Sequence, residues 1–264
     1  MPEQVAICYK LFAARYAQLL ADTYGTVLAL GERECSIQRR YQKVLEESPS
    51  AALDPELRAR MSDAAVAFAR AIAYESAGTA EFVLDGRDFF FLELNARIQV
   101  EHPVSELVTS TDLIQEQIRV AAGEKLSVAQ DDVMPLHGHA IECRINAEDP
   151  DNNFAPAAGR LDTYVPPGGP WTRVDSHCYP GWTITPFYDS LIAKLIVWAP
   201  NRDAAIDRMI RALGEFEISG RGVKTTIPFH LRILDHPQFR SGDVTTDFVE
   251  HFMSEEAAAA AAAS

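Results

Sequence analysis

The stretch Glu93-Leu94-Asn95-Ala96-Arg97-Ile98-Gln99-Val100-Glu101 alternates polar and apolar residues over nine positions. Successive side chains of a strand point to opposite faces, so the alternation predicts a strand carrying Glu93, Asn95, Arg97, Gln99 and Glu101 in one row. An ordinary surface strand alternates as well, but it favours Thr, Ser and Lys. This row is carboxylate, amide and guanidinium. Just upstream, two apolar runs at 79–84 and 88–94 flank Asp85-Gly86-Arg87, a hairpin signal. With those three residues as the loop, odd positions share a face. Glu81 then joins Glu93 and Asn95, and Phe82, Leu84, Phe90, Leu92 and Leu94 form the buried side. Two carboxylates and an amide oxygen make the hard-oxygen set that Mg²⁺ or Mn²⁺ takes, usually shared with substrate phosphates. Adjacent carboxylates repel unless a cation or proton offsets them. A solvated acidic face balanced by Arg97 and Arg87 explains the same residues without a metal.

Working outward, residues 1–24 read as an amphipathic helix on Leu11, Phe12, Leu19 and Leu20, and 26–30 as a strand. Asp54-Pro55 starts an alanine-rich helix to about Ser76, with Asp54 as N-cap. Pro103 opens another helix, with Val104, Leu107, Val108, Ile114 and Ile118 on one face, ended by Gly123. From 137 the texture changes to strand-like runs at 138–146, 160–165, 171–177 and 189–198. A helix follows from Arg202 to about Phe216, capped by Asn201, and another after Thr226. The polar stretch Glu124 to Pro135 marks a boundary between an α+β part and an antiparallel sheet followed by helices. The run Cys35 to Lys43 holds Arg39, Arg40 and Lys43. It is either a solvated face or a source of Lys43 as a point charge for phosphate or bicarbonate.

The 264 residues are 47% hydrophobic and 23% charged, an ordinary globular composition. The net charge of −14 makes the chain a poor general binder of nucleic acid or anionic membrane. No segment is apolar enough to span a bilayer, and no signal-peptide pattern opens the chain. Four scattered cysteines without a Cys-x-x-Cys pair point to reduced thiols and a cytoplasmic location.

Three long runs in order, Glu32 to Lys43, Asn95 to Pro103 and Glu142 to Pro150, together with Tyr188 to Leu195, strongly resemble biotin carboxylase. This is the ATP-grasp subunit or domain of acetyl-, propionyl- and methylcrotonyl-CoA carboxylases and of pyruvate carboxylase. The resemblance implies an α+β chain with a partial ATP-grasp domain at 25–133 and a biotin carboxylase C-terminal domain at 134–250. It leaves the helix read at 1–24 unmatched, and the tail at 251–264, alanine-rich after Glu255, reads as a linker. It implies that Glu81, Glu93 and Asn95 hold divalent metal, and that Gln38 and Lys43 lie beside ATP and bicarbonate. Arg97 binds bicarbonate with Gln99 and the Val100 backbone, Glu101 is the base, and Arg144 stabilises the biotin enolate. The implied cofactors and substrates are ATP, Mg²⁺ or Mn²⁺, bicarbonate, and biotin carried on another protein. The implied partners are a biotin carboxyl carrier protein or domain, a carboxyltransferase, and a second copy of the chain through the C-terminal domain. Against the family, no glycine-rich phosphate loop or biotinylation motif occurs, and Tyr41 stands where His is common. The expectation is therefore an N-terminally truncated chain lacking the nucleotide lobe, with a non-catalytic assembly module as the alternative.

Overall fold

A computed structural model of the chain describes residues 13–263. Two compact units divide it: one runs to His137 and takes up the chain again from Gly242, and the other is Gly138–Ser241. Gly138 has φ +67, and a Cβ there would run into the Ala199 carbonyl and the Trp198 ring, so glycine is required where the second unit begins.

In the first unit, β1 (Ala13–Ala21), β2 (Val27–Glu34), β5 (Leu45–Ser48), β6 (Ser76–Asp85) and β7 (Asp88–Asn95) form one antiparallel sheet in the order β5-β2-β1-β6-β7. Between β2 and β5 lies the small hairpin of β3 (Gln38–Arg39) and β4 (Gln42–Lys43). The helix expected over 1–24 is corrected for its described part, because 13–21 are strand; residues 1–12 lie outside the described residues. The physical reason is that β1 is buried on both faces. Leu19 joins a core with α1 (Pro55–Ala71), while Leu20 joins a second core with Leu28, Leu30, Leu113 and Val133. A strand covered on both faces loses its alternation, and adjacent apolar residues then imitate a helix. All eight residues of β2 are buried for the same reason.

Helix α1 starts as read: the Asp54 side chain accepts from the Leu57 N–H at 2.8 Å and Pro55 follows the cap. Leu57, Met61, Ala65 and Ala69 are its buried stripe, at a spacing of four. It stops at Ala71, five residues before the expected end, because Ala73 is left-handed and Ser76 already begins β6. The single helix expected from Pro103 to Gly123 is two, α2 (His102–Thr109) and α3 (Leu113–Ala121). Ser110 is left-handed between them, and Asp112 caps the second through the Gln115 N–H. Ser, Thr and Asp offer the backbone local alternatives to helical bonding, so the break falls on Ser110-Thr111-Asp112. Ile114 and Ile118 are consequently exposed. A short α4 (Gln130–Val133) ends this region.

In the second unit β8 (His139–Asn146), β9 (Thr172–Ser176) and β10 (Leu191–Ala199) form an antiparallel sheet in the order β9-β10-β8. Asn201 caps α5 (Arg202–Glu215), whose Ala205, Ile206, Met209, Ala212 and Leu213 are buried, and Thr226 precedes α6 (Ile227–Asp235) and α7 (Pro237–Ser241). The residues of the run at 160–165 divide between two short ladders, Gly159–Arg160 with Thr183–Ile184 and Thr163–Val165 with Glu217–Ser219. Beyond them, the expected linker at 251–264 is corrected, because α8 (Phe248–Ala263) runs through the alanine tract. Alanine has the highest helix propensity of all residues.

Candidate active site

The β6–β7 hairpin turns on Gly86-Arg87, two residues rather than three, with Asp85 opposite Asp88. That even loop pairs Leu84 with Phe89 and Phe82 with Phe91, so Phe89 lies with the core and Phe90 is 58% exposed. Phe90 and Leu92 therefore leave the expected buried face, while Phe82, Leu84 and Leu94 keep it. A register shift between Glu81 and Phe82 then adds one residue to β7. Such a bulge reverses the facing of everything beyond it. Glu81 thus pairs with Glu93, and Thr79 with Asn95. The loop-parity premise fails, and the bulge restores the grouping it was meant to explain.

The grouping is tight. The Asn95 Nδ2 donates to Glu81 Oε1 at 2.6 Å and to Glu93 Oε1 at 3.3 Å. Burial is the largest influence on Glu81 and raises its pKa; the Glu93 and Glu101 charges add to the rise, while Lys43 and a bond from Gln99 oppose it. The Asn95 amide nitrogen thus bridges the two carboxylates. Among the described residues no cluster of three His, Cys, Asp or Glu could enclose a metal by itself. Two carboxylates and one amide oxygen nevertheless fit a hard divalent cation that takes its remaining ligands from water and phosphate oxygens.

The strand ends at Asn95, and 96–101 are loop and turn. The alternation over 93–101 therefore overreads the strand by six residues. Arg97 is exposed and donates to Asn95 Oδ1 at 3.3 Å and to the Ile98 carbonyl at 3.3 Å. Gln99 turns inward, and its Nε2 donates to Glu81 Oε1 at 3.1 Å. Val100 lies in the turn before α2, and Glu101 is the N-cap residue of that helix. The Glu101 side chain makes no capping bond; it is buried and ion-paired with Lys43.

Lys43 reaches this site from the β3–β4 hairpin. Arg40 and Tyr41 form its turn with φ of 49 and 65, which sets Gln38 opposite Lys43. The Lys43 Nζ sits 3.6 Å from the centroid of the Tyr16 ring, and 3.9 Å from Glu81 Oε1. One ammonium therefore faces two carboxylates and an aromatic face. Tyr41 is at the turn and is 70% exposed.

Arg144 belongs to the second unit, on β8 opposite Lys194 of β10. Its carbonyl accepts from Thr226 Oγ1 at 3.0 Å and lies 2.7 Å from His230 Nε2. Burial lowers the His230 pKa to about 4, against the pull of that carbonyl. His230 is therefore neutral near pH 7, and its Nε2 carries the proton it donates.

Sequence reasoning gave no role to Arg33, Gln18, Thr79, Tyr16 or His230. Glu32, Arg33 and Glu34 are all buried. Glu32 pairs with Arg58 at 2.9 Å and Glu34 with Arg15, both distant in sequence.

Two family models match. Residues 14–129 match the ATP binding domain of the carbamoyl-phosphate synthase L chain, and residues 142–251 match the biotin carboxylase C-terminal domain. The biotin carboxylase of Nostoc sp. is 60% identical over 234 residues, covering 88% of this chain and 52% of that protein. The chain belongs to the biotin carboxylase family. Biotin carboxylase 1 of Bacillus subtilis is 57% identical, with 89% of this chain and 52% of that protein covered. The biotin carboxylase domain dimer of the Hydrogenobacter thermophilus 2-oxoglutarate carboxylase, solved with MgADP, ADP and bicarbonate, superposes with a TM-score of 0.88 at 50% identity, covering 91% of this chain and 52% of that one. The chain thus spans about half the length of the biotin carboxylases it matches. Its α+β architecture is part of an ATP-grasp domain followed by the C-terminal domain. The match from residue 14 also corrects the expectation that 1–24 is unmatched.

Proposed function

We propose that this chain supplies the metal, bicarbonate and biotin residues of a biotin carboxylase, which uses ATP to carboxylate biotin on a carrier protein. The observation that carries the reading is the buried Glu101–Lys43 ion pair beside Glu81 and Gln99. It is a carboxylate base held next to cationic and amide donors.

Bicarbonate is a poor nucleophile toward ATP until it loses a proton. In this reading Arg97 holds the anion with its planar fork, helped by Gln99 and the Val100 backbone. Glu101 takes the proton, and its ion pair with Lys43 holds the carboxylate in place to accept it. Gln38, across the hairpin from Lys43, faces the nucleotide and bicarbonate. Glu81, Glu93 and Asn95 would hold Mg²⁺ or Mn²⁺, which when bound neutralises phosphate oxygens during transfer. The deprotonated bicarbonate attacks the γ-phosphorus, ADP leaves, and carboxyphosphate forms. Carboxyphosphate releases CO₂ and phosphate. The released phosphate takes the ureido N–H proton of biotin, Arg144 stabilises the negative charge left on the ureido oxygen, and the deprotonated nitrogen captures CO₂.

The H. thermophilus relative is a dimer. By that likeness we infer self-association, with the C-terminal domain as the contact, and a carrier protein and carboxyltransferase as the other partners. No disulfide joins the described cysteines, which supports a reducing cytoplasmic location. The test is ATP hydrolysis by the full-length protein with Mg²⁺, bicarbonate and free biotin. The reading expects hydrolysis that needs both bicarbonate and biotin. Hydrolysis indifferent to bicarbonate, or none at all, overturns it.

A further inference from the structure

Arg33 is fully buried near the C-terminal end of β2. A guanidinium has only donors, and taking it out of water costs several kcal/mol unless those donors are used. Four bonds use the four Nη hydrogens, while Nε is buried without a hydrogen-bond partner among the described residues. Nη1 donates to Gln18 Oε1 at 2.6 Å and to Ser105 Oγ at 3.0 Å. Nη2 donates to Thr79 Oγ1 at 3.0 Å and to Gln99 Oε1 at 2.7 Å. Each acceptor is a neutral oxygen, and they come from β1, α2, β6 and the loop after β7. The bond to Gln99 has a directional consequence. Because Arg33 can only donate, Gln99 must offer it the amide oxygen, so the amide nitrogen turns the other way. That nitrogen donates to Glu81 Oε1 at 3.1 Å. Gln18 is locked in turn, with its own nitrogen donating to the Leu19 and Gly78 carbonyls at 3.0 and 2.9 Å. The network therefore cannot relax by flipping a single amide.

We propose that Arg33 is a positioning residue that fixes the amide orientation of Gln99, so that Gln99 presents its N–H₂ to Glu81 and to bound bicarbonate. This rests on the bicarbonate site proposed above. Without Arg33 the Gln99 amide rotates, and an acceptor oxygen then faces both the anion and Glu81. Bicarbonate binding weakens while the nucleotide contacts, made by other residues, stay.

Three measurements test this. In the full-length protein, Arg33→Lys and Arg33→Met are expected to raise KM for bicarbonate about 10–100-fold, the range of a hydrogen bond to a charged group. KM for ATP should stay within about twofold on the same scale. Because Arg33 acts through Gln99, combining Arg33→Lys with Gln99→Ala should cost little more than Gln99→Ala alone. Additive effects, or a lowered melting temperature with unchanged KM for bicarbonate, overturn the proposal. Should the Arg33 variants fail to fold, the wild-type chain decides by NMR of the Gln99 side-chain amide. Slow exchange of its two protons with water supports the clamp, and exchange as fast as that of a surface glutamine refutes it. The amide measurement needs no catalysis, so absence of bicarbonate dependence in the wild type would defeat the proposed function and leave the clamp to be judged separately.

Discussion

His230→Gln should flatten the acid side of the stability profile of the second unit. His230 is fully buried, and burial lowers its pKa from the ordinary 6.5 to about 4. The unfolded chain therefore binds a proton between pH 6.5 and 4 that the folded chain refuses, so stability falls as pH drops through that window. The stability at stake is complete above the unfolded value and lost on the way down to the folded one. A shift of this size corresponds to about 2 kcal/mol lost between pH 7 and pH 5, and roughly 3 kcal/mol by pH 4. Glutamine does not titrate, and its amide N–H can still serve the Arg144 carbonyl, so the cost at pH 7 should be about 1 kcal/mol. All three tryptophans, Trp171, Trp182 and Trp198, lie in the second unit. Urea unfolding followed by tryptophan fluorescence at pH 7, 6 and 5 therefore reads this unit. The wild-type minus variant difference should fall by about 2 kcal/mol, from about +1 kcal/mol at pH 7 to about −1 kcal/mol at pH 5. Parallel curves for the two proteins, or a His230 NMR titration midpoint near 6.5, would refute the reasoning.

Met61→Ala should destabilise the first unit by about 2–5 kcal/mol, because Met61 fills the interface of α1 with the sheet; denaturant titration checks it. Glu81→Gln or Glu93→Gln should each weaken Mn²⁺ binding at least tenfold in the presence of nucleotide, read by electron paramagnetic resonance, since these are the two carboxylates that Asn95 bridges. Arg144→Ala should lower biotin carboxylation of the full-length protein by about 10²–10⁴-fold with nucleotide affinity within twofold, measured by turnover and calorimetry. Loss of nucleotide binding in that variant would contradict the assigned role.

Much of the site was legible because it lies on short, regular elements. The hairpin signal around Gly86, the acidic pair Glu81 and Glu93, and the caps Asp54 and Asn201 are local features, and the structure keeps all of them. What escaped the sequence is non-local. The β7 bulge leaves no trace in the alternation, so the turn length was misjudged while the facing of Glu93 came out correctly. β1 is buried on both faces, and its adjacent apolar residues imitate a helix. The burial of Arg33, Glu32 and Glu34 depends on Arg15, Arg58 and Gln99, whose approach only the fold decides. Arg97 and Glu101 were placed on a strand, and the chain instead leaves the sheet at Asn95 and holds Glu101 through Lys43 from another hairpin.

The central claim is that Glu101 is the base acting on bicarbonate, and Glu101→Gln in the full-length protein tests it most directly. Glutamine keeps the shape and a hydrogen bond to Lys43 through its amide oxygen, but it cannot accept the proton. The account predicts a folded protein whose nucleotide affinity changes less than about twofold and whose bicarbonate-dependent biotin carboxylation falls by about 10²–10⁴-fold. A variant that keeps near-normal turnover, or one that loses turnover only because it no longer binds ATP, would contradict it.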